Sequence, residues 1–287
     1  MAQFRTRARA LDLLGRQQIA GIPTAINELI KNAHDAYADN FDIDFFRYDN
    51  LLILRDNGLG MTKDEFETRW LTLGTESKLS GSTLSMPPID PGKPKRVIMG
   101  EKGIGRLAIA SIGSQVLIVT KSKIAGDRSK VVVAFINWEI FELPGINLED
   151  IIIPVVEFDE LPTSEDINMI TNDVISSLTS LYDRKLITHS DYTRIRTEIK
   201  SFDVDPYDLS SRLYGSYPMS SNSGGTHFYI SPVYETLISD IEGDGSSEEA
   251  TKMEKMLMGF HNTMTPNHPK PVVDIAFRDY RSSDGSF

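Results

Sequence analysis

Residues 23–56, a stretch of fewer than forty residues, limit the fold more than any other feature of the chain. Residues 23–38 (PTAINELIKNAHDAYA) begin with a proline and carry apolar residues at helical spacing, which predicts a helix. Residues 41–46 (FDIDFF) alternate like a strand, and residues 51–56 (LLILRD) form an apolar run that ends at a turn. A helix followed at once by two strands favours an α+β sandwich, in which one mixed sheet carries helices on one face.

The rest of the chain alternates between short strands and polar segments. Residues 160–213 are polar and helix-forming, and they predict a helical insertion that is either a partner surface or a cover for the sheet. Four Pro and two Gly between 80 and 95 predict a mobile loop. Helices are expected at 4–14, 62–71 (with Thr62 as N-cap) and 246–260, and strands near 115–122, 130–138, 151–158, 224–230 and 271–277.

The composition excludes several classes of chemistry. The 287 residues contain no Cys, so disulfides, thiolate metal sites and a Cys nucleophile are excluded. The five His residues show no metal-ligand spacing. No apolar run approaches about 18 residues, and no signal peptide is recognisable, so we expect a cytoplasmic protein without membrane contact. The net charge of −11 argues against a broad nucleic-acid surface.

Three polar side chains share one face of the helix at 23–38. Glu28, Asn32 and Asp35 stand at positions i, i+4 and i+7, which a period of 3.6 residues places on the same side. A solvated polar face is one interpretation. A Mg²⁺ and water site is the other, because an Asn amide oxygen suits Mg²⁺ and a Glu one turn away can orient or deprotonate a water.

Three glycine motifs follow along the chain. DNGLGM (56–61) ends a buried strand with Asp56, a pure acceptor that suits an exocyclic amine such as that of adenine; alone, it reads equally well as an ordinary turn. GEKGIGR (100–106) offers backbone N–H groups to phosphate, but its spacing is not that of a Rossmann fingerprint. GGT (224–226) places Thr226 at the start of a strand, where it can donate to a ring nitrogen.

Together these motifs resemble the GHKL ATPases, the family of gyrase B, MutL, histidine kinases and the ninety-kilodalton heat-shock chaperones. ELIKNAHDA is similar to the family's N-box, and DNGLGM, GEKGIGR and GGT are similar to its three glycine boxes. WLTLGTESK (70–78) resembles the segment that opens the nucleotide lid, nearest to the heat-shock chaperone and MORC-like branches. The resemblance covers about residues 20–120 and 224–230. It implies a Bergerat-type fold that binds ATP and Mg²⁺.

The resemblance also implies a role for each matching residue. Glu28 is the general base for the attacking water, and Asn32 is the Mg²⁺ ligand. Asp56 binds the adenine amine with support from Thr226. At the base, the implied contacts are Gly58, Gly60 and Met61, and Asp35 is an indirect or water-mediated contact. Around the phosphates, the implied contacts are Gly100, Gly103, Ile104 and Gly105. Lys78 and Lys102 are either phosphate contacts or solvated side chains.

The expected organisation is a single ATP-binding domain over residues 1–287 at the head of a longer protein. It comprises an N-terminal arm (1–20), an ATP lid (79–99), the insertion at 160–213 and a C-terminal extension (243–287). Lys270 is a weak candidate for the Lys that contacts the γ-phosphate in gyrase and MutL. The arm carries Arg5, Arg7, Arg9 and Arg16, and it is a helix packed on the domain, an arm exchanged in an ATP-dependent homodimer, or a DNA-binding arm.

The predicted function is slow, Mg²⁺-dependent ATP hydrolysis that drives lid closure and dimerisation. A DNA or protein client would bind through regions outside this chain. A protein kinase of the histidine-kinase type is an alternative, although no His precedes the N-box helix. A nucleotide-sensing scaffold that binds ATP without turnover is another.

Overall fold

The computed structural model contains one seven-stranded mixed sheet with helices, as the α+β prediction requires. The strands lie in the order β5-β4-β3-β6-β2-β1-β7, and every neighbouring pair is antiparallel except β1 and β7. The strands are β1 Asn40–Phe46, β2 Leu51–Asp56, β3 Gln115–Lys121, β4 Val131–Asn137, β5 Val155–Phe158, β6 Gly225–Ile230 and β7 Asp274–Tyr280.

The structure describes most of the chain, but not all of it. The described residues are 6–16, 19–72, 89–90, 92–100, 105–125, 129–215, 219, 223–243, 249–264 and 272–282. Within these ranges, no helix is both long enough and apolar enough to cross a bilayer.

The helices fall before, between and after the strands. A π-helical turn, Phe66–Trp70, continues α3, and 3-10 helices cover Gly105–Ser111 and Leu148–Asp150. The α-helices are α1 Arg9–Leu14, α2 Ile22–Asp35, α3 Lys63–Glu65, α4 Glu139–Glu142, α5 Ser164–Asp183, α6 His189–Lys200, α7 Pro206–Arg212, α8 Thr236–Glu242 and α9 Lys252–Met264.

Helix α2 packs against the 3-10 helix Gly105–Ser111, and its C-terminal end lies beside one face of the sheet. In the register of β2 and β6, Asp56 lies opposite Thr226 and Leu54 lies opposite Phe228, so these four side chains point to one face. The C-terminal end of α2 reaches Asp56 through Ala36, which lies against Gly58. This face therefore carries the helix and the strand end that the sequence singled out.

The second face is covered as well, so the helices do not all lie on one face of the sheet. Phe135 of β4 packs edge-on against Phe202, which follows α6, with ring centroids 5.0 Å apart. Glu198 of α6 accepts hydrogen bonds from Gln115 of β3 (3.1 Å) and Asn137 of β4 (3.0 Å). Helices α5 to α7 lie in the stretch expected as an insertion. Residues from β2, β3, β4 and β6 are consequently buried on both faces.

Several element boundaries differ from the sequence predictions for local reasons. Helix α2 ends at Asp35 because Tyr37 adopts a positive φ of 61°, which an α-helix does not allow. Thr62 does cap its helix: its hydroxyl accepts the backbone N–H of Glu65, and the Glu65 carboxylate accepts the backbone N–H of Thr62. The helix expected at 246–260 is α9, which covers 252–264, α8 precedes it without having been predicted, and the last strand runs from 274 to 280.

Candidate functional site

The polar face of α2 lies beside the start of the 3-10 helix. Gly105 is so close to α2 that a Cβ built on it would stand 3.0 Å from Glu28 Oε2 and 3.9 Å from Asn32 Nδ2. A side chain there would press against the tip of the Glu28 side chain, so glycine favours this close approach. The end of the second glycine box and the N-box helix thus meet at Glu28 and Asn32.

Glu28 is held from its other side by a neighbour on the same helix. The ammonium of Lys31 donates to Oε1 at 2.6 Å, and both side chains are about a quarter exposed. The second oxygen, Oε2, is the atom that a Cβ on Gly105 would approach most closely. One carboxylate oxygen therefore faces the glycine-rich segment while the other is paired.

The carboxylate of Asp35 is bound by two backbone groups of the chain itself. Its Oδ1 accepts the backbone N–H of Met99 at 2.8 Å, and its Oδ2 accepts that of Gly100 at 2.9 Å. His34 Nδ1 lies 3.2 Å from Oδ1. In this structure the carboxylate of Asp35 binds the chain where the second glycine box begins.

Asp56 stands at the end of β2 and is only 5% exposed. Burial raises the pKa of its carboxyl to about 7, because an ionised carboxylate loses hydration there. The backbone N–H of Gly58, at 2.8 Å, and that of Thr226 partly offset this increase in pKa. A buried carboxyl of this kind, with few compensating donors, is typical of a ligand-binding position.

Glycines let the backbone close around Asp56. A Cβ on Gly58 would lie 2.8 Å from the carbonyl oxygen of Ala36, and one on Gly60 would lie 1.9 Å from that of Lys121. Gly60 also has a φ of +60°, which disfavours other residues. The turn 58–60 is thereby wedged between the end of α2 and the end of β3.

A threonine that sequence analysis missed joins the first and third glycine boxes. Thr120 of β3 is fully buried, and its hydroxyl accepts the N–H of Met61 at 3.1 Å. The same hydroxyl donates to the carbonyl oxygen of Gly225 at 3.0 Å and lies 3.0 Å from the hydroxyl of Thr226. No local motif marks Thr120, since its role depends on the pairing of β3 with β6.

Arg106 is a second residue that the sequence analysis did not single out. Its guanidinium donates to the carbonyl oxygen of Thr72, and burial lowers its pKa. Within the described part of the chain it makes no ion pair, and its Nε is buried without a hydrogen-bond partner. Its position directly after Gly105 was the available signal.

The N-terminal arm, where it is described, packs on its own domain. Arg16 donates to Asp12 (2.8 Å), to the hydroxyl of Tyr234 (3.3 Å) and to Glu142. A Cβ on Gly15 would lie 2.8 Å from the carbonyl oxygen of Leu107, so the end of the arm touches the 3-10 helix. The arm is therefore connected directly to the element that begins at Gly105.

Some predicted site residues lie outside the described ranges. These are Lys78, Lys102, Gly103 and Ile104, together with Lys270 and most of the expected lid, residues 79–88 and 91. Their roles stay predictions.

The residues present fit a nucleotide better than a metal held by the protein alone. Among the described residues, no group of three or more acidic or His side chains is suited to hold a metal ion. A Mg²⁺ ion at Asn32 would therefore take most of its oxygen ligands from phosphate and water, as this ion commonly does. Gly58, Gly60 and Gly105 let the backbone lie close to Ala36, Lys121 and Glu28, and so bring the glycine boxes up to Asp56 and Asn32.

The comparisons with known proteins agree with this geometry. A family model described as histidine kinase-, DNA gyrase B-, and HSP90-like ATPase matches residues 21–162, which include α2, β2 and the first two glycine boxes. No curated protein matches the chain significantly. Through residues 21–162, the chain belongs to the histidine kinase-, DNA gyrase B- and HSP90-like ATPase family, whose domain binds ATP.

Proposed function

We propose that this chain binds ATP with Mg²⁺ and hydrolyses it slowly, as a conformational-switch ATPase domain. The observation that carries the proposal is the contact of Gly105 with Glu28 and Asn32. It brings a glycine-rich segment, which can approach phosphate oxygens closely, to a carboxylate and an amide. Those two groups are suited to a water nucleophile and to a divalent cation, respectively.

The adenine base is proposed to bind at the end of β2. The Asp56 carboxylate, which can only accept hydrogen bonds, would accept one from the exocyclic amine of adenine. Thr226 would support this contact. Gly58, Gly60 and Met61 would form the walls of the base pocket. The buried hydroxyl pair of Thr226 and Thr120 supports this assignment, because it fixes the third glycine box beside the first.

Hydrolysis is proposed to depend on two side chains of α2. Glu28 would orient the attacking water and accept its proton through the oxygen that faces Gly105. Asn32 would hold Mg²⁺, which when bound offsets phosphate charge. Gly100, Gly103, Ile104 and Gly105 would surround the phosphates, and Lys78 and Lys102 are proposed as cationic contacts to them.

The switch is proposed to act through the lid (79–99) and the N-terminal arm. ATP would order the lid and favour a homodimer, which requires that ATP bind the closed state more tightly than the open one. The contact of Gly15 with Leu107 supports a link between the arm and the nucleotide site. Sedimentation with and without a non-hydrolysable ATP analogue tests the homodimer, and an unchanged monomer would contradict it.

Two substitutions test the assignments. Glu28→Ala should keep ATP binding and lose turnover, whereas Asp56→Asn should lose binding. Glu160→Ala, at an exposed carboxylate outside the site, is the control and should behave as the parent. ATP binding is measured by calorimetry and turnover by phosphate release. Parent-like hydrolysis by Glu28→Ala would show that another group is the base.

A non-hydrolysing nucleotide sensor is the second candidate. It is favoured by the ion pair between Glu28 and Lys31, which occupies one oxygen of the proposed base. Under this alternative, bound ATP stays intact while the oligomeric state still responds to it. Chromatography of the nucleotide recovered from the complex distinguishes the two.

A further inference from the structure

We propose that Asp35 and Arg96 are positioning residues that fix the entrance of the second glycine box to α2. We call the contacts of these two side chains with the chain around them the α2 anchor. The inference rests on the proposed function, because it assigns the anchor to the alignment of Glu28 and Asn32 with the phosphates. It gives Asp35 a structural role with a catalytic consequence.

The first half of the α2 anchor is the carboxylate of Asp35. It accepts two consecutive backbone N–H groups, those of Met99 (2.8 Å) and Gly100 (2.9 Å), one on each oxygen. The side chain is only 14% exposed, so water competes weakly for these bonds. Hydrogen bonds to an ionised acceptor are about twice as strong as neutral ones. The chain is consequently fixed at Gly100, the first residue of the glycine box.

The second half is the guanidinium of Arg96. It donates to the carbonyl oxygens of His34 (3.2 Å) and Ala38 (2.7 Å), and it lies over the ring of Tyr37 at 5.4 Å. The carbonyl of His34 belongs to the last turn of α2 and that of Ala38 follows the helix, and a cation at this end is favoured by the helix dipole. Arg96 therefore ties residues 92–100 to the same end of α2.

A neighbouring lysine adds to this attachment. Lys93 donates to the carbonyl oxygen of Tyr37 at 2.8 Å and pairs with Asp39 at 2.6 Å. Two cations and one carboxylate thus hold residues 93–100 across the end of α2.

The short connection between Gly100 and Gly105 explains why the position of Gly100 affects the position of Gly105. Glu28 and Asp35 are seven residues apart on α2, which separates them by about 10.5 Å along the axis. Five peptide units join Gly100 to Gly105 and can span at most about 17 Å. Holding Gly100 beside Asp35 therefore keeps Gly105 within about 17 Å of that end of α2. Releasing Gly100 would loosen the alignment of Gly105 with Glu28.

The α2 anchor acts on one half of the site. Asp56 and Thr226 lie on β2 and β6 and are held there by strand pairing and by Thr120. Loss of the anchor should therefore lower kcat and leave base binding nearly intact. A direct contact of Asp35 with the nucleotide predicts instead that its loss weakens binding.

The kinetic test uses Asp35→Ala and Arg96→Met. We expect each to lower kcat by about 10- to 100-fold, the cost of misplacing a catalytic group by about 1 Å, with the KM for ATP within about threefold of the parent. Arg96→Lys, which keeps a cation for the carbonyls, should recover part of kcat. Asp173→Ala, at an exposed aspartate on α5, is the control.

Hydrogen exchange provides a readout that needs no nucleotide. In the protein without ligand, Asp35→Ala should exchange the amides of Met99 and Gly100 at least about tenfold faster, while the amides of β2 stay as slow as in the parent. This result holds whether or not the chain hydrolyses ATP, so a failure of the anchor is distinguishable from a failure of the proposed function.

Three outcomes would overturn the proposal. Unchanged exchange at Met99 and Gly100 in Asp35→Ala would show that the contacts do not hold the chain in solution. Parent-like kcat despite fast exchange would remove the positioning role. A loss of ATP affinity equal to that of Asp56→Asn would make Asp35 a binding residue. If Asp35→Ala fails to fold by circular dichroism, Arg96→Met carries the same kinetic and exchange tests.

Discussion

The buried carboxyl of Asp56 should lower the free energy of unfolding at neutral pH, compared with a protein that has an uncharged group at this position. Its pKa in the folded chain is about 7, against 3.8 for an ordinary Asp, because burial disfavours the ionised form. The folded state thus binds this proton more tightly than the unfolded state. The stabilisation that results is fully present below pH ~4 and is lost as the pH rises to about 7. The difference amounts to about 4 kcal/mol.

Asp56→Asn removes the ionisable group at nearly constant shape. The amide oxygen can still accept the N–H of Gly58. At pH 8 we expect the free energy of unfolding to exceed that of the parent by about 2–4 kcal/mol, and at pH ~4 we expect the two to be equal. Urea unfolding without nucleotide, followed by circular dichroism, measures this difference. Asp173→Asn, at an exposed aspartate, should follow the parent at every pH.

The same group should link ATP binding to pH. If the adenine amine needs the ionised Asp56, ATP affinity should fall about tenfold for each pH unit below about 7. Calorimetry between pH 5.5 and 8.5 gives the profile. Equal stability of Asp56→Asn and the parent at pH 8, or pH profiles of unfolding that run parallel, would refute the burial argument. A flat binding profile would remove Asp56 from the adenine contact.

The remaining predictions concern packing, buried charge and the α2 ion pair. Gly60→Ala should lower the free energy of unfolding by more than about 3 kcal/mol, because the added Cβ would overlap the carbonyl oxygen of Lys121 at 1.9 Å. Gly145→Ala, also at positive φ but with open space around it, should lower it by about 1–2 kcal/mol. Arg278→Ala should cost about 3–5 kcal/mol, since it breaks buried ion pairs, whereas Arg281→Ala, at an exposed side chain, should cost under about 1 kcal/mol. Lys31→Met should change that free energy by under about 0.5 kcal/mol and turnover by about two- to threefold at most. Denaturant titrations and phosphate release check these values, and equal costs within either pair would contradict the reasoning.

Local patterns were sufficient for the central helix and the first two strands. The apolar run at 51–56 and the turn after it predicted β2 with its exact ends, because a short buried strand bounded by a glycine turn has few alternatives. The helix at 23–38 was right in type but three residues too long at its C-terminal end. Its true end depends on the backbone of Tyr37, which no side-chain pattern reveals.

Other features depend on contacts between distant parts of the chain. Thr120 and Thr226 meet only because β3 pairs with β6. Asp35 shares a helix face with Glu28 and Asn32, as predicted, yet its partners are 64 and 65 residues away in sequence. Helix α8 was missed because it has only seven residues and no side-chain N-cap. Periodicity within a window carries none of this information.

The parallel pairing of β7 with β1 has a consequence for synthesis of the chain. Asp42 and Asp44 of β1 are buried, and both bind Arg278 of β7, more than 230 residues later. A ribosome adds about 5–20 residues per second, so more than about ten seconds pass between the synthesis of these two carboxylates and that of Arg278. The family match ends at residue 162. A gene fragment limited to the matched region would lack Thr226 and the last strand. Its product would therefore lack residues that complete the sheet.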